Sequence, residues 1–121
     1  MAVVRLDHVQ LAYPPGRYDD ARRFYGEVMG FTEVAKPAAM AVRGGMWFQA
    51  GPVGIHLGVE PGFSPSAKAH PAFVVDDLDE RVARVTAAGG TWTPSDELPG
   101  VRRGHITDPF GNRIELIADR A

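Results

Sequence analysis

Apolar and polar positions along the chain fall into two successions with the same grammar. Residues 3–12 are mostly apolar and β-prone and stop at the turn Pro14-Pro15-Gly16, which predicts an opening strand. Across 19–29, Ala21, Phe24, Tyr25 and Val28 recur at helical spacing. Asp19 and Asp20 suit the positive N-terminal end of that helix, and Gly30 suits its C-terminal cap. Short strands are expected at 31–35, 40–43, 46–50 and 53–59, punctuated by Gly44-Gly45 and Gly51-Pro52. After a polar stretch the order repeats. A strand over 70–75 leads into a helix from Asp77, with Leu78, Val82 and Val85 on one face and a capping box between Asp77 and Glu80. Gly89-Gly90 ends that helix, and strands follow at 91–93, 101–107 and 112–118, the last two joined by Asp108-Pro109-Phe110-Gly111-Asn112.

Each half therefore reads as about βαβββ, with one extra short strand in the first, within an α+β fold. The expected organisation is one domain over 1–121, with modules at about 1–60 and 70–121 and a linker at 61–69. Neither half can bury both faces of its own sheet, so the two are expected to pack or pair.

Composition narrows the class. Thirteen basic against fifteen acidic residues, with no basic stripe, speak against nucleic acid as a partner. Arg22-Arg23 and Arg102-Arg103 read as isolated doublets of solvated charge. No cysteine is present, which excludes disulfides, thiolate metal sites and a cysteine nucleophile, and is compatible with a reducing cytoplasm. No apolar run has the length of a membrane span, so no membrane partner is expected. Any bound metal must use nitrogen and oxygen ligands.

The residues able to supply them are His8, His56, His70 and Glu115. His8 and His70 open corresponding strands, and His56 and Glu115 lie on corresponding final strands. Glu115 stands between Ile114 and Leu116, whose side chains point to the opposite face. A carboxylate facing into a concave sheet is costly unless a charge or metal compensates it. Imidazole and carboxylate together suit Zn, Ni, Co, Mn or Fe, and ligand type does not choose among them. His105, one strand before Glu115, is read as a strand residue making a local hydrogen bond. Trp47, Phe48, Phe73 and Trp92 are read as core.

Taken together, Leu6-Asp7-His8-Val9, Phe24-Tyr25, Gly30-Phe31, His70-Pro71-Ala72-Phe73-Val74-Val75-Asp76-Asp77-Leu78-Asp79 and Asp108-Pro109-Phe110-Gly111-Asn112-Arg113-Ile114-Glu115 resemble the vicinal oxygen chelate superfamily over nearly the whole chain. That superfamily includes glyoxalase I, fosfomycin-resistance thiol transferases, extradiol dioxygenases and bleomycin-resistance proteins. The resemblance implies two βαβββ modules forming an open, curved, barrel-like mixed sheet around a divalent metal ion. Carried over by position, it implies that His8, His70 and Glu115 are metal ligands, with His56 as a fourth, and that Glu115 doubles as the catalytic acid/base. His56 departs from glyoxalase I, which commonly has a carboxylate there. The implied function is a metal-dependent lyase, isomerase or thiol transferase acting, as a homodimer, on a small oxygen-rich substrate. The alternative is a metal-free protein that sequesters a small molecule, as the bleomycin-resistance type does.

Overall fold

The computed structural model describes residues 2–120 and divides into two compact units, Met1–Phe63 and Ser64–Ala121. The first unit contains β1 (His8–Tyr13), α1 (Tyr18–Arg22) continuing into a π-helical segment (Arg23–Val28), β2 (Thr32–Val34), α2 (Ala38–Ala41), β3 (Met46–Ala50) and β4 (Val53–Val59). The second contains β5 (Ala72–Val75), α3 (Leu78–Ala87), β6 (Thr93–Ser95), β7 (Arg103–Thr107) and β8 (Arg113–Ala118). Each unit is a four-stranded mixed sheet, ordered β1-β4-β3-β2 and β5-β8-β7-β6. In both, the first strand runs parallel to the last, and the other neighbours are antiparallel. The parallel pairing needs a long crossover, which the intervening helix and strands provide.

Register makes the duplication explicit. Gln10 and Trp47 flank His56 across the first sheet, and Ala72 and His105 flank Glu115 across the second. His8 lies two residues before Gln10 and His70 two before Ala72, so His8 matches His70 and His56 matches Glu115. The opposite faces are apolar: Met46, Phe48, Ile55 and Leu57 are buried with Ala21, Phe24 and Tyr25 in the first unit. In the second, Ile106, Ile114 and Leu116 are buried with Leu78 and Val85 of α3.

The turn before β8 explains a motif. Asp108 Oδ1 accepts from the backbone N–H of Phe110 (3.0 Å) and of Asn112 (2.8 Å), and Asn112 Nδ2 donates to Asp108 Oδ2 at 2.8 Å. Gly111 has φ +95°, a conformation that a side chain would strain. This closed network sets the β7–β8 register, and with it the position of Glu115.

Several expected elements differ. Residues 40–43 are not a strand: Ala38-Ala39-Met40-Ala41 are strong helix formers behind Pro37, and they form α2. The first helix loses α geometry after Arg22, and Met29 N–H bonds to Phe24 O at the five-residue spacing of a π turn. The first strand begins at His8, leaving Val3, Val4 and Leu6 exposed. The capping box does not form, because Asp77 instead pairs with Arg81 at 2.7 Å and Glu80 with Arg84 at 3.1 Å. No described helix is long and apolar enough to cross a membrane.

Candidate metal centre

On β8, Ile114 and Leu116 are fully buried in the apolar layer, and the alternation of the strand turns Glu115 onto the other face. Three cationic or potentially cationic groups meet its carboxylate there. Arg103 Nη1 donates to Oε2 at 2.9 Å, His70 Nε2 lies 3.3 Å from Oε1, and His105 Nε2 lies 3.7 Å from Oε1. The ligand-capable atoms of His70, His105 and Glu115 all lie within 4.8 Å of one another.

The tautomer of a neutral His70 is set by its other partner. Its Nδ1 lies 2.7 Å from Lys68 O, and a carbonyl oxygen only accepts, so Nδ1 carries the hydrogen. A neutral His70 then turns the lone pair of Nε2 toward Glu115 Oε1. Two acceptors 3.3 Å apart repel unless a cation stands with them, either a second ring proton or a metal ion. The imidazole–carboxylate donor set fits a divalent metal on this count.

Burial pushes the Glu115 carboxyl up, but hydrogen bonds from Arg103 and His70 outweigh it and hold the group below its ordinary value. For His105, burial and then the nearby Arg113 charge depress the pKa, which favours the neutral ring. His105 also borders a cleft of about 260 Å³ lined by Ser66, Thr91, Thr93, Thr107 and Arg113.

The first unit carries a matching pair. His8 Nδ1 lies 2.8 Å from Asp7 Oδ2, so this ring too donates from Nδ1 and leaves Nε2 open. His8 stacks on His56 with centroids 3.8 Å apart, and the opposite face of His56 stacks on Trp47 at 4.1 Å with a 7° tilt. Burial, followed by the charge of His8, lowers the His56 pKa. Gly54 and Gly58 flank His56 on its own face. A Cβ at Gly58 would come within 2.7 Å of Gln10 Nε2, so glycine lets Gln10 lie against the strand.

Of the four residues singled out from sequence, the structure places His70 and Glu115 in contact in one unit, and His8 and His56 in contact in the other. Two expectations need correction. Arg103 is not a solvated charge: its side chain is only 12% exposed and ion-pairs with Glu115 and, at 3.6 Å, with Glu97. The doublet concealed this, since Arg102 points away to Asp79. His105 is likewise more than a strand residue with a local bond. Counting outward from Phe110 at the centre of the hairpin turn puts His105 opposite Glu115, a signal present in the sequence. Of the aromatics read as core, Phe48 is fully buried, but Trp47 is half-buried against the His56 ring.

The family model of the Glyoxalase/Bleomycin resistance protein/Dioxygenase superfamily matches residues 5–116, and the chain belongs to that superfamily. Among solved structures, a glyoxalase family protein from Bacillus anthracis is 42% identical with a TM-score of 0.92, covering 99% of this chain and 98% of that one. A glyoxalase/dioxygenase from Nostoc punctiforme shares 23% identity with a TM-score of 0.76, over 97% of this chain and 92% of that one. The genomically encoded fosfomycin resistance protein FosX from Listeria monocytogenes shares 18% identity with a TM-score of 0.75, over 98% of this chain and 94% of that one. These last two likenesses concern the fold. None of the curated proteins matches the sequence.

Proposed function

We propose that this protein is a divalent-metal-dependent enzyme, a lyase, isomerase or thiol transferase acting on a small oxygen-rich substrate. The observation that carries the proposal is the fixed ring of His70, whose Nδ1–H is held by Lys68 O while Nε2 faces Glu115 Oε1 at 3.3 Å. His70 and Glu115 would hold the ion, and His8 and His56, at the matching positions of the duplicated scaffold, are proposed as further metal-binding residues. A bound divalent ion would supply polarisation of a substrate oxygen and a lowered proton affinity at the adjacent centre.

The remaining work falls to the chain's own groups. Arg103 holds Oε2 and so orients the carboxylate, and Glu115 is the candidate acid/base for a substrate proton. Thr91, Thr93, Thr107 and Arg113 line a cleft whose residue types suit a small molecule rich in oxygen. We place the enzyme in the cytoplasm as a homodimer, which the absence of cysteine and the habits of the superfamily support.

The test is elemental analysis of purified protein beside a Glu115→Ala variant. A near-stoichiometric divalent metal that drops sharply in the variant supports the proposal. Failure to take up Ni, Zn, Mn or Fe(II) when each is supplied would defeat it. One observation favours a second reading, a metal-free protein that sequesters a small molecule: Arg103 already neutralises Glu115 at 2.9 Å. On that reading the ring of Trp47 is a stacking surface, and the protein binds an aromatic ligand without metal.

A further inference from the structure

We infer that Arg113 and the row of hydroxyls beside it form an oxyanion subsite, and that the substrate carries a carboxylate or phosphoryl group held there. The inference deepens the function proposed above, and rests on it for the presence of a small-molecule substrate.

Register sets two rows of side chains across the second sheet. His105 stands opposite Glu115, and Thr107 stands opposite Arg113. Thr91 extends the second row, its Oγ1 lying 3.2 Å from Thr107 Oγ1. Arg113 and Glu115 leave the same face, because residues two apart on a strand share one. A strand rises about 3.3 Å per residue, so the rows stand about 7 Å apart. The row of Arg113 therefore lies beside the candidate metal centre, and an anion held in it places the rest of a short substrate over Glu115.

Charge and hydrogen-bond capacity point to the ligand. Arg113 is half-buried and has no hydrogen-bond or ion-pair partner among the described residues. Partial burial of a guanidinium without a counter-charge is unfavourable, and an anion beside it relieves the cost. The cleft of about 260 Å³ that Arg113 lines has Ser66, Thr91, Thr93 and Thr107 in its wall, and no described carboxylate. Its hydroxyls are left as donors. Ser66 Oγ accepts from the backbone N–H groups of Ala69 (3.0 Å) and Lys68 (3.3 Å), which leaves its own hydrogen to give. Thr91 and Thr107 share one hydrogen bond, which uses only one of their two hydroxyl hydrogens. A guanidinium fork among hydroxyl donors, with no carboxylate to compete for it, selects an oxyanion over a cation or a neutral polyol.

The full-length protein, stripped of metal, would be titrated with inorganic phosphate and separately with acetate at constant ionic strength. Nitrogen–proton spectra follow the Arg113 Nε–H and the amides of Thr91, Thr93 and Thr107. Saturable shifts centred on these groups are expected in the wild type. Loss of a hydrogen bond to a charged group should weaken binding by roughly 10–100-fold in Arg113→Gln, and Arg113→Lys should restore part of it. Thr107→Val, which keeps the shape of the side chain, guards against misfolding and should weaken binding by roughly 2–10-fold. Phosphate binding at least as tight as acetate assigns a phosphoryl group, and tighter acetate a carboxylate. Shifts that do not saturate, or an affinity that R113Q leaves unchanged, would overturn the inference. Metal uptake is read in a separate titration with Zn(II), so its failure would defeat the metal reading and leave the anion result standing.

Discussion

Trp47 and His105 occupy the same place in two copies of one sheet. Trp47 lies opposite His56 across β3 and β4, and His105 lies opposite Glu115 across β7 and β8. At one position the neighbour of the candidate ligand is an aromatic lid, and at the other it is a further donor. The duplication thus preserved the framework while the two faces took on different chemistry.

That difference is measurable by fluorescence. The indole of Trp47 lies flat on His56, so protonating His56 places a cation against its π face and quenches its emission. A Trp92→Phe variant isolates the Trp47 signal. Its emission is expected to fall as pH drops through a midpoint below 6.5, the ordinary histidine value, because burial and then His8 disfavour the charged ring. Removing the imidazole with His56→Gln should abolish the transition. A midpoint above 6.5 would contradict the packing described.

Replacing Glu115 should affect metal content and stability together. In Glu115→Ala the guanidinium of Arg103, only 12% exposed, keeps Glu97 at 3.6 Å as its remaining ionic partner. A partly buried charge that loses its main partner costs about 1–3 kcal/mol. Removing both charges, in Arg103→Met/Glu115→Leu, should recover most of that loss while leaving metal uptake impaired. Denaturant midpoints and metal analysis of the three proteins separate the two effects.

Much of the fold was legible because local chemistry declares it. Glycines and prolines mark the ends of elements, and the alternation around Glu115 names the core-facing residues Ile114 and Leu116. The equivalence of His8 and His70 was readable because each histidine opens an apolar, strand-forming run that leads into a helix. Register was harder to read, since it depends on pairing between distant strands. Arg103 looked like its neighbour Arg102 until β7 turned the two in opposite directions. The 40–43 segment failed for another reason, as its β-prone Val42 was outweighed by the alanines before it.

The Asp108 turn should be worth more to stability than its loop position suggests. Asp108→Ala removes the acceptor of two backbone N–H groups and leaves the Asn112 amide, in a residue only 7% exposed, without this partner. The expected loss is about 2–3 kcal/mol in the denaturant midpoint, larger than an ordinary loop substitution. Gly111→Ala should cost about 1 kcal/mol, from φ +95° and a new Cβ 3.0 Å from the Pro65 ring. Amide exchange along β8 should quicken in both variants, since the turn sets that strand's pairing.

Glu115 contributes to the pH dependence of the metal-free protein. Its carboxyl is held below its ordinary value of 4.5 once folded, since Arg103 and His70 outweigh the opposing effect of burial. A depressed folded pKa means that the unfolded chain takes up the proton first as the solution is acidified. The stability contributed by this group is therefore fully present above about 4.5 and is lost as pH falls through the folded value. Unfolding free energy measured from pH 7 down to 3 should fall more steeply in the wild type than in Glu115→Gln, which has no proton to gain. Parallel curves for the two proteins would show that the contacts of Glu115 do not stabilise its charge.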